Sequence, residues 1–270
     1  MSKVLVASHQ GVCQAGYILG NTLDAFDIAL NDGADIIELD ATLSADGTVF
    51  TFHPGTENVR LGLEKNALGK MSDCEIRELR QVFPDGHKSF FPVYTLEESL
   101  SHLKGRCLIN IDKSWTCPEQ IMKVVKKVGV EDQVILKSNI RGDKWMKELR
   151  DVEVYAPHIR YMPVFYDSDI ASAIIENMNI NFYGAEICFK TEDSELCSRE
   201  FIDKMHSHNR KLWVNAIVFN YRTVLSAGHT DNASLRNPAD GWGWIAEKGF
   251  DICQTDWTRH CRQYLTSIGY

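Results

Sequence analysis

The sequence lacks any apolar run long enough to cross a bilayer, and its eight cysteines include no Cys-x-x-Cys pair. The first absence argues against a membrane-spanning protein. The second argues against a zinc cluster or a disulfide framework, so we expect reduced and mostly buried thiols. The chain starts almost directly with an apolar run and has no signal-peptide core, which favours a cytoplasmic location.

An excess of positive charge is also missing, because the formal net charge is -8. A surface of this sign disfavours nucleic acid and anionic membranes as partners and favours a small substrate. Spaced glycines of the dinucleotide-binding type are absent after the first predicted strand, where the residues are Ser8-His9-Gln10-Gly11. What remains is a chain of ordinary globular composition, 44% hydrophobic and 24% charged, which can bury a large core.

Short apolar runs alternate with helix-period segments along all 270 residues. The predicted strands are residues 4–8, 36–40, 107–112, 134–137, 152–155, 182–187, 212–218 and 252–255. Eight strand-then-helix units of this length predict a TIM (β/α)₈ barrel, formed as a single domain over residues 1–270. Residues 54–91 are predicted to be a small insertion over the barrel mouth, between the second strand and its barrel helix. A second long loop, 227–241, is a candidate lid that contains His229.

Two carboxylates interrupt the apolar second strand. Glu38 and Asp40 lie two residues apart, so they point to one face of the strand. A solvated edge or a structural salt bridge could explain them, but the apolar residues around them favour a central strand. Asp112 ends the third strand, and the carboxyl ends of barrel strands meet at one mouth. Three converging carboxylates suit a hard cation, Mg²⁺ or Ca²⁺, better than zinc.

Other polar residues stand at the same ends of the remaining predicted strands: His9, Lys137, Glu186, Asn215, Gln254 and Asp256. The sequence leaves open whether Lys137 and Glu186 touch a substrate or support the residues that do. Trp213 is explained either by core packing or as an apolar wall for a substrate group. His53 follows the hairpin signal Ala45-Asp46-Gly47, which places an imidazole near the paired carboxylates.

These residues resemble the glycerophosphodiester phosphodiesterase family over nearly the whole chain. The resemblance is carried by HQG at 9–11, NTLDAF at 21–26, GADIIELD at 33–40, DG at 46–47, FH at 52–53 and GFDICQTD at 249–256. It implies a barrel that holds one divalent cation through Glu38, Asp40 and Asp112. It also implies that His9 and His53 act as acid and base on a small phosphodiester. The products would be glycerol phosphate and an alcohol, and a neighbouring hydroxyl of the substrate would attack first to give a cyclic phosphate.

The chain departs from the family pattern at three places. Gln10 stands where the family usually has arginine, Gly20 where it has glutamate, and Asp112 is followed directly by Lys113 rather than by a lysine two positions later. We therefore expect Gln10 to donate a neutral hydrogen bond to a phosphoryl oxygen. Lys137 would supply the missing positive charge to the phosphate, with Lys113 turned outward or paired to a carboxylate.

The departures leave two alternatives to hydrolysis of a glycerophosphodiester. One is a non-catalytic barrel that binds a phosphodiester or a lipid headgroup. The other is a phospholipase-D-like or lyase reaction on a lysolipid. A branch of the family with Asp-Lys-x-Trp on the third strand and a Gly-His-x-Asp loop after the seventh looks similar to this chain.

Overall fold

Eight parallel strands close into a barrel in the computed structural model, which describes residues 3–12, 18–166, 168–219 and 222–270. The strands of the described chain, in order, are β1 Leu5–Ser8, β2 Ile36–Leu43, β3 Val49–Thr51, β4 Leu108–Asp112, β5 Val134–Asn139, β6 Arg160–Tyr166, β7 Gly184–Cys188, β8 Lys211–Asn215, β9 Val218–Phe219, β10 Thr223–Val224 and β11 Ile252–Thr255. Barrel strands β1, β2, β4 to β8 and β11 pair in sequence order, and β11 pairs with β1 to close the ring. The predicted TIM barrel is confirmed.

Helices surround this barrel. Their bounds are α1 Leu23–Asn31, α2 Glu57–Arg60, α3 Asp73–Glu78, α4 Leu96–Leu103, α5 Pro118–Val128, α6 Trp145–Tyr155, α7 Ser172–Ile175, α8 Arg199–Ser207, α9 Asp231–Ser234, α10 Trp242–Lys248 and α11 Thr258–Ser267. The ends of α4 and α5 follow local sequence: Thr95 and Glu98 form a reciprocal capping box, and Pro118 opens a helix that ends at Gly129 with positive φ. Among the described residues, no helix is both long and apolar enough to traverse a bilayer.

The prediction for the fifth barrel strand is wrong. Residues 152–155 form the last turn of α6, and the fifth strand is β6, further along the chain. The buried residues of this helix, Leu149 and Val152, are three apart and share one face, whereas Val154 is 69% exposed. The true strand carries Pro163, a residue that argues against a central strand because it cannot donate a ladder hydrogen bond.

Apolar side chains fill the inside of the barrel and the layer between strands and helices. The interior cluster consists of Ala7, Ile36, Ile135, Met162, Trp213 and Ile252, which come from six different strands. Two larger clusters pack the outer faces of the strands against the helices. The core therefore holds the strands rigidly and leaves their carboxyl ends to carry polar residues.

Residues 54–91 follow the antiparallel hairpin of β2 and β3 and include α2, α3 and the 3-10 turn Leu68–Lys70. They share a small apolar cluster with the hairpin, made of Phe50, Phe52, Leu61, Leu68, Ile76 and Val93. The segment is tied to the hairpin by the Asp73 carboxylate, which accepts from the Ser44 hydroxyl at 2.6 Å. The description of 54–91 as an insertion over the mouth of one domain stays a prediction.

Candidate active site

Three carboxylates meet where β2 and β4 end. Asp40 lies beside Asp112 in the parallel register of these strands, and Glu38 is two residues earlier on the same face of β2. One oxygen from each of Glu38, Asp40 and Asp112 lies within 4.8 Å of the others. We call these three residues the acidic cluster. The sequence predicted this convergence, and it follows from strand alternation and sheet register together.

Asp40 is buried and unevenly satisfied. Its Oδ2 atom accepts from the side-chain amides of Gln10 at 2.8 Å and Asn21 at 2.9 Å, and its backbone N–H donates to Asn21 Oδ1. Within the described part of the chain, Oδ1 accepts no hydrogen bond, and Nε2 of His53 lies 3.9 Å from it. A buried carboxylate oxygen without a donor fits a cation ligand. The amide of Gln10 thus donates to Asp40, and its contact with a phosphoryl oxygen stays a prediction.

Glu38 shows the electrostatic cost of this arrangement. Its Oε2 atom accepts from the backbone N–H of Gln10 at 2.8 Å. Burial raises the pKa of Glu38 to about 8, and the carboxylates of Asp40 and Asp112 add to the rise, while His9 and the hydrogen bond from Gln10 oppose it. The acidic cluster therefore has more negative charge than its own donors balance. A hard divalent cation fits its oxygen donors and its charge.

Asp112 differs from Glu38 because it has ammonium groups beside it. Burial alone would raise its pKa, but Lys113 and Lys137 outweigh burial and hold the pKa of Asp112 at about 2. Lys113 donates to Asp112 Oδ2 at 2.5 Å and lies 5.3 Å from the ring centre of Trp115. It has a left-handed backbone, with φ of 58°, which directs its side chain back to the carboxylate. The expected pairing of Lys113 with a carboxylate is present.

Lys137, Glu186, Trp213 and Asn215 form a second group, which we call the paired network. The ammonium of Lys137 donates to Glu186 Oε2 and lies 3.6 Å from the ring centre of Trp213. Asn215 donates to Glu186 Oε1 at 2.7 Å, and the Trp213 indole N–H donates to Asn215 and to Gln254. Lys137 is only 2% exposed and Trp213 is fully buried. The pairing favours a supporting role for Lys137 and a packing role for Trp213, and substrate contact by either residue stays a prediction.

His9 and His53 lie on either side of the acidic cluster. Nδ1 of His9 is 2.8 Å from Asp256 Oδ1, and Nδ1 of His53 is 3.0 Å from the carbonyl oxygen of Pro54. An oxygen acceptor at Nδ1 favours the neutral tautomer with its proton on that atom, so Nε2 is the basic nitrogen of each ring. In His53, Nε2 is the atom that faces Asp40. Both imidazoles are thus oriented through Nδ1, as acid/base chemistry requires.

Sequence reasoning assigned no role to three residues that shape this site. Asn21 fixes the orientation of Asp40, Asp256 fixes the imidazole of His9, and Asp231 accepts the backbone N–H of Asp256 at 2.8 Å. Asp256 was visible as a polar residue after the last strand. Asn21 precedes α1 and Asp231 opens the short helix α9, where strand periodicity gives no signal.

His229, the exception singled out in the predicted lid, has a packing role. Its ring stacks on Trp244 with centres 3.6 Å apart, and its nitrogens face the carbonyl oxygen of Asp240 and the carboxylate of Glu192. These contacts hold the loop against α10.

Parts of this sequence match known proteins. A family described as a domain of unknown function, DUF4996, matches residues 161–265. The chain is 29% identical over 171 residues to a glycerophosphodiester phosphodiesterase of Caldanaerobacter subterraneus subsp. tengcongensis, a match that covers 58% of this chain and 65% of the relative. The matches to curated relatives span 49% to 65% of those proteins' own length.

Solved structures share the fold over almost the whole chain. A glycerophosphoryl diester phosphodiesterase from Parabacteroides distasonis superposes with a TM-score of 0.78 at 18% identity, and the match covers 98% of this chain and 87% of that one. A phosphodiesterase from Oleispira antarctica, solved with its product sn-glycerol-3-phosphate, has a TM-score of 0.71 at 14% identity, with coverage of 97% and 96%. At these identities the likeness concerns the fold.

Proposed function

We propose that this chain belongs to the glycerophosphodiester phosphodiesterase family, an assignment that its sequence relatives and its barrel support. In this proposal it hydrolyses a glycerophosphodiester or a related small phosphodiester. The products are glycerol phosphate and an alcohol. The observation that carries the proposal is the acidic cluster with an oriented imidazole on either side. The product bound to the Oleispira antarctica phosphodiesterase agrees with this substrate class.

The reaction is proposed to depend on one divalent cation, Mg²⁺ or Ca²⁺. Glu38, Asp40 and Asp112 would hold it, since their oxygens lie close together and Asp40 Oδ1 is buried with no donor among the residues that the structure describes. A cation bound there supplies positive charge to the phosphoryl oxygens of the substrate. Gln10 and Asn21 keep Asp40 in the orientation that turns Oδ1 into the cluster.

The two histidines divide the proton transfers. In the first step one imidazole accepts the proton of the attacking substrate hydroxyl through Nε2 and the other donates a proton to the leaving alkoxide, which gives a cyclic phosphate. In the second step water opens this ring, with the two proton transfers reversed, and glycerol phosphate is released. The Asp256 carboxylate stabilises a protonated His9, which suits that residue to hold a proton between the two steps. Which histidine serves as base in the first step stays open.

Lys113 is the cation that we assign to the phosphate. Its side chain is 25% exposed at the edge of the acidic cluster, whereas the ammonium of Lys137 is buried and neutralised by Glu186. A partly exposed ammonium can turn from Asp112 toward an incoming phosphate at small cost, because only one ion pair is exchanged for another. In this assignment Glu186 and Asn215 support the site through their contacts in the paired network.

A panel of glycerophosphodiesters with different headgroups, assayed with Mg²⁺, with Ca²⁺ or with EDTA, tests the proposal. Metal-dependent release of glycerol phosphate is expected, and Asp40→Asn is the matched variant with a weakened site. Binding of the same diesters without turnover would favour the non-catalytic alternative, for which the engaged amide of Gln10 is the motivating observation. A cyclic phosphate as the final product would favour the lyase alternative.

A further inference from the structure

The residues behind His9 form a chain of hydrogen bonds that reaches the loop after β8. We infer that Asp231 is a positioning residue, which holds Asp256 and through it the imidazole of His9. The inference rests on the proposed function, because His9 is there an acid/base residue. It extends that function to a part of the barrel that lies outside the acidic cluster.

The first link is the backbone of Asp256. This residue follows the last residue of β11, and its side chain meets Nδ1 of His9 at 2.8 Å. Its backbone N–H donates to Asp231 Oδ2, also at 2.8 Å. The position of the carboxylate that orients His9 therefore depends on an acceptor that is 25 residues earlier in the chain.

The second link is the way in which Asp231 is itself held. Its Oδ1 atom accepts from the Thr255 hydroxyl at 2.6 Å and from the Trp242 indole N–H at 2.8 Å. Its backbone N–H donates to the carbonyl oxygen of Ala216 at 2.7 Å. Asp231 is 3% exposed, so these contacts are made without solvent. The carboxylate thus joins the loop, α10 and the end of β11 at one point.

A carboxylate is needed at this position because three donors converge on its two oxygens. An amide would replace one acceptor oxygen with an NH₂ group, and a backbone or indole N–H would then face a donor. The charged form is nevertheless costly: burial and the neighbouring Asp256 raise the pKa of Asp231 to about 7. A buried acid kept despite this cost supports a role in orientation.

The simpler explanation is that Asp231 only stabilises its loop. Ser234 provides the matched control. Its hydroxyl donates to the Thr230 carbonyl oxygen and accepts from the backbone N–H of Trp242, and it makes no hydrogen bond to Thr255 or Asp256. Loss of loop stability alone should affect Ser234→Ala and Asp231→Asn alike. Loss of positioning should affect only Asp231→Asn.

The test compares Asp231→Asn, Asp256→Asn, the double variant and Ser234→Ala. The Nδ1–H proton of His9, assigned by its disappearance in His9→Gln, is followed by NMR in histidine-labelled protein. We expect its downfield signal to shift or vanish in both aspartate variants and to persist in Ser234→Ala. In the same proteins, Asp231→Asn should lower kcat about tenfold with KM and Mg²⁺ affinity unchanged, and should add little to Asp256→Asn.

An unchanged His9 signal in folded Asp231→Asn, or kcat losses that multiply in the double variant, would overturn the inference. If Asp231→Asn does not fold, Trp242→Phe removes one donor to Asp231 without touching Asp256. The His9 signal of Trp242→Phe must then shift in the same direction as that of Asp256→Asn, and an unchanged signal counts against the inference. If the wild-type protein hydrolyses no diester, the proposed function fails, while the NMR comparison still decides the role of Asp231.

Discussion

The acidic cluster and the paired network lie at the same end of the barrel but solve the burial of charge in opposite ways. In the paired network, the ammonium of Lys137 meets the carboxylate of Glu186, and Asn215 satisfies the second oxygen. In the acidic cluster, Lys113 pairs with Asp112, and Asp40 Oδ1 lacks a donor within the described residues. The paired network is neutralised by its own members, and the acidic cluster would be neutralised by the proposed divalent cation.

This difference distinguishes residues that stabilise the site from residues that we propose take part in the reaction. A buried ion pair whose oxygens are satisfied resists change, because removing one partner leaves the other charged and unpaired. A cluster with excess charge can bind a cation tightly and expose it to a substrate. Four predictions test this contrast: three concern substitutions, in order of decreasing effect, and the last concerns pH.

The largest effect is expected for the two histidines beside the acidic cluster. His9→Ala and His53→Ala should each lower kcat by roughly 10² to 10⁴, since each removes one proton transfer. Divalent-cation binding, measured by calorimetry, should be retained. Because both act on one transition state, the double variant should be scarcely slower than the slower single variant. Fully multiplicative losses would contradict a shared mechanism.

The paired network should respond in stability. Lys137→Met is expected to lower the free energy of unfolding by about 3 kcal/mol, because Glu186 is left buried without its partner. Chemical denaturation measures this change, and Lys137→Met with Glu186→Gln should recover most of it. Lys113→Met, the matched control in the acidic cluster, should instead lower kcat/KM with little loss of stability. The reverse pattern would mean that Lys137 is the phosphate ligand.

Removing one charge from the acidic cluster should weaken cation binding. Asp40→Asn is expected to reduce Mg²⁺ or Ca²⁺ affinity at least tenfold, on the order of 1.4 kcal/mol. Calorimetric titration of the wild-type and variant proteins checks this. Glu186→Gln, which changes a carboxylate of the paired network, should leave the affinity nearly unchanged. Equal affinity in wild type and Asp40→Asn would rule out the metal assignment.

The last prediction concerns a pH dependence of stability in the metal-free protein. The folded pKa of Glu38, about 8, lies above its ordinary value of 4.5, so the folded state holds a proton that the unfolded state releases. This contribution to stability is full below pH 4.5 and is lost as the pH rises through 8. Thermal melts from pH 5 to 8 should show the decline, and Glu38→Gln should reduce it. A stability that rises across this range would contradict the raised pKa.

Much of the barrel could be predicted from local sequence patterns, and the errors of that prediction have physical causes. Local residues mark the ends of α5 and α10, because Pro118 opens α5 and a left-handed glycine, Gly129 or Gly249, follows each helix. The fifth strand was misplaced, since Val-Glu-Val-Tyr at 152–155 has the alternation of a strand but the burial period of a helix. Four residues are too few to separate a period of two from one of 3.6.

By itself, the sequence determined that Glu38 and Asp40 share a face, because strand alternation is a local property of the backbone. It also indicated that Asp112 joins them, since the carboxyl ends of barrel strands meet at one mouth. Only the tertiary structure decided which partner each charged group has. Lys137 meets Glu186 and His9 meets Asp256 because closure of the barrel brings strands together that are 49 and 247 residues apart in the chain. Side-chain pairing over such distances depends on register and rotamer, which no local pattern encodes.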